Sequence, residues 1–286
     1  MPPMRLPAGV RGVLLDIEGT TTAIAFVHEV LFPYAAARLE ATCAGRAGEP
    51  EVAAAIARLR EEYTAEAAGD AAGRGAADGV RAGAGAGVGQ AAVGDGAGLP
   101  PFGDGAPYAR WLMARDRKST GLKALQGLIW ESGYAGGELR GHVYPDVPPA
   151  LAAWHAAGLR LRVFSSGSRR AQELLFAHSD FGDLTPFFDG FHDTTTGPKH
   201  ERSSYRAIGE AFELAPETLL FLSDTAAELD AAAAAGYRTG MLERPGNQPQ
   251  PRGAHPAFAT FAELAPACPR PAAPAPVPPP APPVPR

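Results

Sequence analysis

The chain has 286 residues, of which 45% are hydrophobic, and this suffices for one large domain or for a core with a smaller inserted domain. Its net charge of -5 argues against sequence-independent nucleic-acid binding, which requires a basic surface. The start, MPPMRLPAG, lacks the apolar stretch of a secretory signal, and no run approaches the length of a membrane span. We therefore expect a cytoplasmic monomer that binds neither nucleic acid nor membrane.

Short apolar runs alternate with helical patterns along most of the chain. The runs at 10–15, 159–164, 218–222 and 237–242 predict buried strands. Helical patterns follow them at 168–178, 201–213 and 226–235, the last closed by Gly236 as a C-terminal cap. This alternation predicts the α/β class, a Rossmann-like parallel sheet with helices on both faces.

More than a hundred residues separate the first predicted strand from the second, and their pattern is mostly helical at 28–43, 51–67 and 108–132. This is too long for one crossover connection, so we predict an inserted helical cap domain. The predicted division is a core of residues 1–25 and 141–263 with a cap of residues 26–140.

Two segments have low-complexity compositions. Residues 69–107 consist mainly of Gly, Ala and Asp, and residues 264–286 are rich in proline. Neither composition buries enough apolar surface to offset the entropy of ordering. We predict a flexible loop inside the cap and an extended, disordered C-terminal tail.

Acids and hydroxyls follow the predicted strands. Asp16 and Glu18 follow the first, Ser165 and Ser166 the second, and Asp224 the third, while Lys199 lies in a loop that enters a helix. The carboxyl ends of parallel strands share one edge of the sheet, where ligands bind. Converging carboxylates repel one another unless a cation lies between them, and oxygen ligands suit Mg²⁺. Serine hydroxyls and a lysine are groups that bind an anion such as phosphate. Together with the carboxylates, they indicate a magnesium-dependent phosphoryl site.

The same order of motifs resembles the haloacid dehalogenase-like phosphatases, whose first motif is usually Asp-x-Asp-Gly-Thr. Here the motif reads DIEGTT, which is similar to the enolase-phosphatase (acireductone synthase) branch of methionine salvage. The stretches FVHEVLFPYA, STGLKALQGLIWESGY, FSSGSRRAQELLF and LFLSDTAAELDAA extend the resemblance over roughly residues 10–40 and 108–247.

The resemblance implies a small phosphorylated substrate, 2,3-diketo-5-methylthiopentyl 1-phosphate, which is first enolised and then dephosphorylated to acireductone. It further implies that Asp16 is the nucleophile and that Mg²⁺ is held by Asp16, Glu18 and Asp224. Ser165, Ser166 and Lys199 would hold the substrate. Glu18, in place of the usual aspartate, would also be catalytic, as a base, an acid or a metal ligand.

Two other interpretations remain open from the residues alone. In the first, the chain is a phosphatase of the same superfamily that acts on another small phosphate ester. In the second, it is an interaction protein whose proline-rich tail is a polyproline ligand. If the protein is the phosphatase, apolar residues of the cap such as Phe26, Trp111 and Trp130 are candidates to line the substrate pocket, although each is also a candidate core residue.

Overall fold

The computed structural model describes residues 5–76, 98–115, 117 and 119–266. The strands are β1 (Gly12–Leu15), β2 (Arg160–Phe164), β3 (Gly190–His192), β4 (Leu219–Ser223), β5 (Arg238–Leu242) and β6 (Ala257–Phe258). They form one sheet of order β3-β2-β1-β4-β5-β6, in which all neighbouring strands are parallel. The four predicted strands are confirmed. The sequence did not indicate β3 and β6, which have only three and two residues.

In the described chain, six α-helices precede β2 and three follow it. They are α1 (Ile24–Phe26), α2 (Phe32–Gly45), α3 (Pro50–Ala76), α4 (Ala106–Ala114), α5 (Thr120–Ala135), α6 (Val147–Ala156), α7 (Arg169–Ala177), α8 (Arg202–Phe212) and α9 (Ala226–Ala234). None of the helices within the described ranges is long and apolar enough to cross a membrane.

Both faces of the sheet are covered, as the alternation of strands and helices predicts. Side chains of a strand alternate between faces, so Val13 and Leu15 join one hydrophobic cluster and Leu14 joins the other. Helices α6 and α7 contribute to the first cluster, and α8 and α9 contribute to the second. Gly236 has φ +97° just after α9, which confirms its predicted role in ending that helix.

Helices α1 to α5, here called the helical insert, lie between β1 and β2 in sequence and have a hydrophobic cluster of their own. Leu39, Leu59 and Leu125 are fully buried in it. The predicted helical pattern at 108–132 is two helices, because Ser119 begins α5 by accepting a hydrogen bond from the backbone N–H of Leu122 at 2.9 Å. The α7 residues Ala171 and Leu174 pack against this cluster, so the insert rests on the sheet domain.

The first helical run of the insert is interrupted by a wider turn. A π-helical segment, Val27–Leu31, separates α1 from α2, and the N–H of Phe32 donates to the carbonyl of Val27, five residues back. Pro33 follows directly. Its ring would collide with the carbonyl of Glu29 in a regular α-helix, and it has no N–H to donate. The proline accounts for the wide turn at this point.

The predicted loop and tail both extend too far into the folded protein. Helix α3 continues to Ala76, and Phe102 is buried with its ring centroid 5.3 Å from that of Tyr63. Alanine is a strong helix former, and this accounts for the extension of α3. Burial of the aromatic side chain of Phe102 is enough to anchor the glycine-rich segment around it. The rest of the predicted loop, residues 77–97, lies outside the described residues.

At the other end, Leu264 is 1% exposed, and its carbonyl accepts a hydrogen bond of 2.9 Å from Nε1 of Trp154. The carbonyl of Ala265 accepts another, also 2.9 Å, from the N–H of Leu6. Three residues of the predicted tail, 264–266, therefore belong to the fold. The prediction missed them because it followed the high proline content of the segment and gave no weight to the apolar side chain of Leu264. Residues 267–286 lie outside the described residues.

Candidate active site

Asp16 and Asp224 lie at the carboxyl edge of the sheet, after the adjacent strands β1 and β4, where the strand order reverses. Open parallel sheets bind ligands at this point. Gly19, with φ +69°, brings its backbone against Asp224: a Cβ added there would lie 2.1 Å from Oδ2 of Asp224. Only glycine fits a motif loop that approaches the second carboxylate this closely.

The buried carboxylate of Asp16 is held by three donors. Its Oδ1 accepts from Nζ of Lys199 at 2.6 Å and from the N–H of Ile17 at 2.7 Å. Its Oδ2 lies 3.2 Å from the hydroxyl of Ser223. Since every one of these groups is rigid or buried, the orientation of the carboxylate is fixed before any ligand binds.

Lys199 joins Asp16 to a second acid that the sequence analysis did not single out. Glu228 lies in the first turn of α9, and its Oε2 is 2.7 Å from Nζ of Lys199 and 3.0 Å from the hydroxyl of Ser223. Its four-residue spacing from Asp224 is a signal in the sequence, but within AAELDAA that spacing is equally typical of any amphipathic helix.

Burial and the neighbouring charges together raise the pKa values of this cluster. Burial alone would lower the pKa of Lys199, but the carboxylates of Asp16 and Glu228 outweigh burial and raise it. Burial, followed by the charge of Asp16, raises the pKa of Glu228 to about 7 and that of Asp224 to about 6. Negative charge is thus in excess around Asp16 and Asp224, and a further cation would relieve it.

The donor set fits Mg²⁺ rather than a metal that requires a full cage of side chains. Within the described part of the chain, no three acidic, histidine or cysteine side chains are gathered closely enough to hold an ion by themselves. Mg²⁺ commonly binds one or two carboxylates and keeps waters and phosphate oxygens as its other ligands. Asp16 and Asp224 meet that requirement.

Ser165 and Ser166 follow β2 and face the same edge. Ser165 is buried, its N–H donates to the carbonyl of His192 at 3.1 Å, and its Oγ accepts from the N–H of Gly167 at 3.1 Å. The carbonyl of Ser166 accepts a hydrogen bond of 2.9 Å from Nζ of Lys123 on α5. A contact from the helical insert therefore reaches the serine loop.

Two neighbouring cavities contain these residues. The first, here called the polar cleft, has a volume of about 320 Å³ and is lined by all six residues that the sequence predicted: Asp16, Glu18, Ser165, Ser166, Lys199 and Asp224. The second, here called the apolar compartment, has a volume of about 410 Å³ and is lined largely by the insert and α7, with Leu31, Phe32, Leu122, Trp130 and Leu175 among its residues. A polar site thus adjoins an apolar one.

A family model described as haloacid dehalogenase-like hydrolase matches residues 10–236. Curated relatives named Enolase-phosphatase E1 include one from Synechococcus elongatus, 45% identical over 91% of this chain and 100% of its own length. Another, from Sorangium cellulosum, is 47% identical over 91% of this chain and 99% of its own length.

This chain belongs to the enolase-phosphatases of the haloacid dehalogenase-like hydrolases.

Solved structures agree with this family. The UTR4 protein of Saccharomyces cerevisiae has a TM-score of 0.66 at 29% identity, covering 88% of this chain and 98% of its own. CbbY of Rhodobacter sphaeroides, solved with phosphate, has a TM-score of 0.53 at 19% identity, covering 89% of this chain and 96% of its own, and shows the shared fold alone.

In this member of the enolase-phosphatases, several residues that the sequence did not indicate also line the polar cleft. His28 comes from the π-helical segment, and Gln248 and Gln250 come from the turn after β5. Gln250 also accepts a hydrogen bond of 3.0 Å at Oε1 from the N–H of Ala226, at the start of α9. No periodicity or spacing connects a glutamine turn with a site formed by distant strands, so only the fold reveals these residues.

Proposed function

We propose that this protein is a magnesium-dependent enolase-phosphatase that converts 2,3-diketo-5-methylthiopentyl 1-phosphate, through its enol phosphate, to acireductone and phosphate. The observation that carries the proposal is the contact of Asp16 with Lys199 in a cleft that opens beside an apolar compartment. The polar cleft is suited to bind a phosphate, and the apolar compartment is suited to bind a methylthio chain. The relatives named Enolase-phosphatase E1 support the same activity.

Phosphate release uses Asp16 as the nucleophile. A carboxylate oxygen attacks phosphorus, the bond from phosphorus to the substrate oxygen breaks, and an aspartyl-phosphate remains that water then hydrolyses. Lys199 and the serines Ser165 and Ser166 hold the phosphate oxygens. Glu228, which contacts Lys199 but is not needed for attack, keeps the ammonium group in position.

Mg²⁺ held by Asp16 and Asp224 would reduce the repulsion between the attacking carboxylate and the phosphate oxygens. Glu18 completes the proposed metal contacts through its main-chain or side-chain oxygen. It also serves the proton transfers of enolisation, for which a carboxylate two residues from the nucleophile is well placed.

We assign the helical insert to a cap domain of residues 26–140. The proposed core comprises residues 1–25 and 141–263. Of the three apolar candidates in the sequence, Trp130 lines the apolar compartment. Phe26 and Trp111 instead pack against the hydrophobic clusters. A cap that covers the compartment would exclude water from the enol intermediate. The cytoplasmic location and the monomeric state remain predictions from the sequence.

The proposal is tested by incubating the purified protein with the diketo phosphate, with and without Mg²⁺, while the enediol absorbance and phosphate are both recorded. We expect equal amounts of enediol and phosphate, and neither in the presence of a chelator. Phosphate release from many small esters at similar rates, with the diketo phosphate no better than the others, would instead support the less specific phosphatase.

A further inference from the structure

We propose that His28 is a second proton-transfer residue of the enolisation step and acts together with Glu18. This inference rests on the proposed function and assigns a catalytic duty to a residue of the helical insert. It begins with the lining of the two cavities. Glu18, His28, Ser165 and Ser166 are the four residues that line both the polar cleft and the apolar compartment. They mark the boundary between the two cavities.

The substrate fixes which of its atoms meet that boundary. Its phosphate is attached to C1, the carbonyl that enolises is C2, and the methylthio group is at the far end of the chain. With the phosphate at Asp16 and Lys199 and the methylthio group in the apolar compartment, C1 and C2 must lie between the two. The bond that enolises therefore lies among the four boundary residues.

Two of those four side chains, Glu18 and His28, carry the kinds of group that commonly transfer protons in enzymes near neutral pH. Serine hydroxyls hold their proton under these conditions, whereas carboxylates and imidazoles are the usual general acids and bases. Enolisation needs two such groups, because one proton leaves carbon while another arrives at oxygen. The boundary supplies one carboxylate, Glu18, and one imidazole, His28.

The local backbone supports this role for His28. The residue lies in the π-helical segment Val27–Leu31, and such wide turns occur frequently at functional sites. Pro33 and the contact of the His28 ring with Phe32, whose ring centroids are 5.4 Å apart at 89°, fix the turn and the ring beside the boundary. His28 is also exposed to solvent, so it can exchange its proton with water between turnovers.

The step balances with these two residues alone. The Glu18 carboxylate takes a proton from C1, the electrons of that C–H bond form the C1–C2 double bond, and the carbonyl π electrons move to the C2 oxygen. The His28 imidazolium gives its proton to that oxygen. The result is the enol phosphate, a protonated Glu18 and a neutral His28, and both residues return to their starting forms by exchange with water.

The test compares His28→Gln with the parent on two substrates: the diketo phosphate, and a straight-chain alkyl phosphate that has no carbonyl and needs no enolisation. We expect His28→Gln to slow formation of the enol phosphate by roughly 10²–10⁴, the usual contribution of a positioned acid or base. Hydrolysis of the alkyl phosphate should stay within about threefold. His28→Lys, which restores a cationic proton donor, should recover part of the enolisation rate.

His155→Gln is the matched control, because His155 is an exposed histidine on α6 that lines neither cavity. It should leave both activities unchanged. The inference is overturned if His28→Gln enolises the diketo phosphate as fast as the parent, or if it slows both substrates equally, as a purely structural role requires. A parent enzyme that does not enolise the diketo phosphate at all would overturn the proposed function instead.

Discussion

Nζ of Lys199 lies 2.6 Å from Oδ1 of Asp16 and 2.7 Å from Oε2 of Glu228, and the ammonium group is almost completely buried between them. One cation therefore lies between two carboxylates in a site that must also accept a phosphate. In the proposed attack of Asp16 on phosphorus, Glu228 would still hold Lys199, and the lysine would remain available to the phosphate oxygens.

Lys199→Met should lower both the rate of phosphate release and the stability of the folded protein. Loss of one preorganised charged donor costs roughly 10²–10³ in rate, and removal of one partner from a buried ion pair costs about 3–5 kcal/mol. Phosphate release at saturating substrate and a thermal melt measure the two effects. Lys199→Arg restores the charge and should recover stability more than rate; a Lys199→Met protein with parental activity would contradict the role of this contact.

Asp224→Asn should stabilise the metal-free protein while it weakens the response to Mg²⁺. The pKa of Asp224 rises from 3.8 to about 6 on folding, chiefly through burial and then through the charge of Asp16. Between these pH values the folded protein keeps a proton that the unfolded chain has lost, so stability falls as pH rises through this window. Asparagine avoids that loss.

Melting temperatures of parent and Asp224→Asn, recorded from pH 4 to pH 8 with and without Mg²⁺, test this expectation. In metal-free buffer, the melting temperature of the variant should increase relative to that of the parent as pH rises to about 6. Above that pH it should remain higher than that of the parent. Added Mg²⁺ should raise the melting temperature of the parent more than that of the variant. An equal response to Mg²⁺ would mean that Asp224 is not a ligand.

Much of the fold and the polar cleft was predictable, because both follow from short-range patterns. Buried apolar runs indicated β1, β2, β4 and β5, and the acids or hydroxyls after the first three of these runs indicated the edge where Asp16, Ser165 and Asp224 meet. Contacts made across long sequence distances were not predictable. His28 enters the site because of how the π-helical segment is placed, which no local pattern of residues records. Glu228 follows Asp224 by four residues, but that spacing alone does not distinguish a site residue from any other residue of a helix.

Composition was misleading at the C-terminal boundary, and truncation variants measure the consequence. A chain that ends at Glu263 loses the burial of Leu264, worth roughly 1.5–3 kcal/mol. It also loses the hydrogen bonds that the carbonyls of Leu264 and Ala265 accept from Trp154 and Leu6. Its melting temperature should fall by about 2–4 °C for each kcal/mol. A chain that ends at Pro266 is the control and should melt like the full chain; equal melting of both truncations would contradict the docking of Leu264.

Glu18 carries the difference from the commoner phosphatase motif, and two variants separate its duties. Glu18→Gln cannot exchange a proton and should lose roughly 10²–10⁴ in enolisation, measured across Mg²⁺ concentrations. If saturating Mg²⁺ restores the rate, Glu18 is chiefly a metal ligand. Glu18→Asp should keep some ester hydrolysis but lose more of the enolisation, and a parental rate of acireductone formation would show that the longer side chain has no mechanistic role.

Phosphate release by Asp16→Asn tests the nucleophile most directly. Asparagine keeps the shape of the side chain but is a poor nucleophile and removes one negative charge from the metal site. The variant, shown to be folded by its thermal melt, should release no phosphate from the diketo phosphate at any Mg²⁺ concentration, and its mass should show no phosphoryl adduct. Substantial phosphate release by the folded variant would contradict phosphoryl transfer to Asp16.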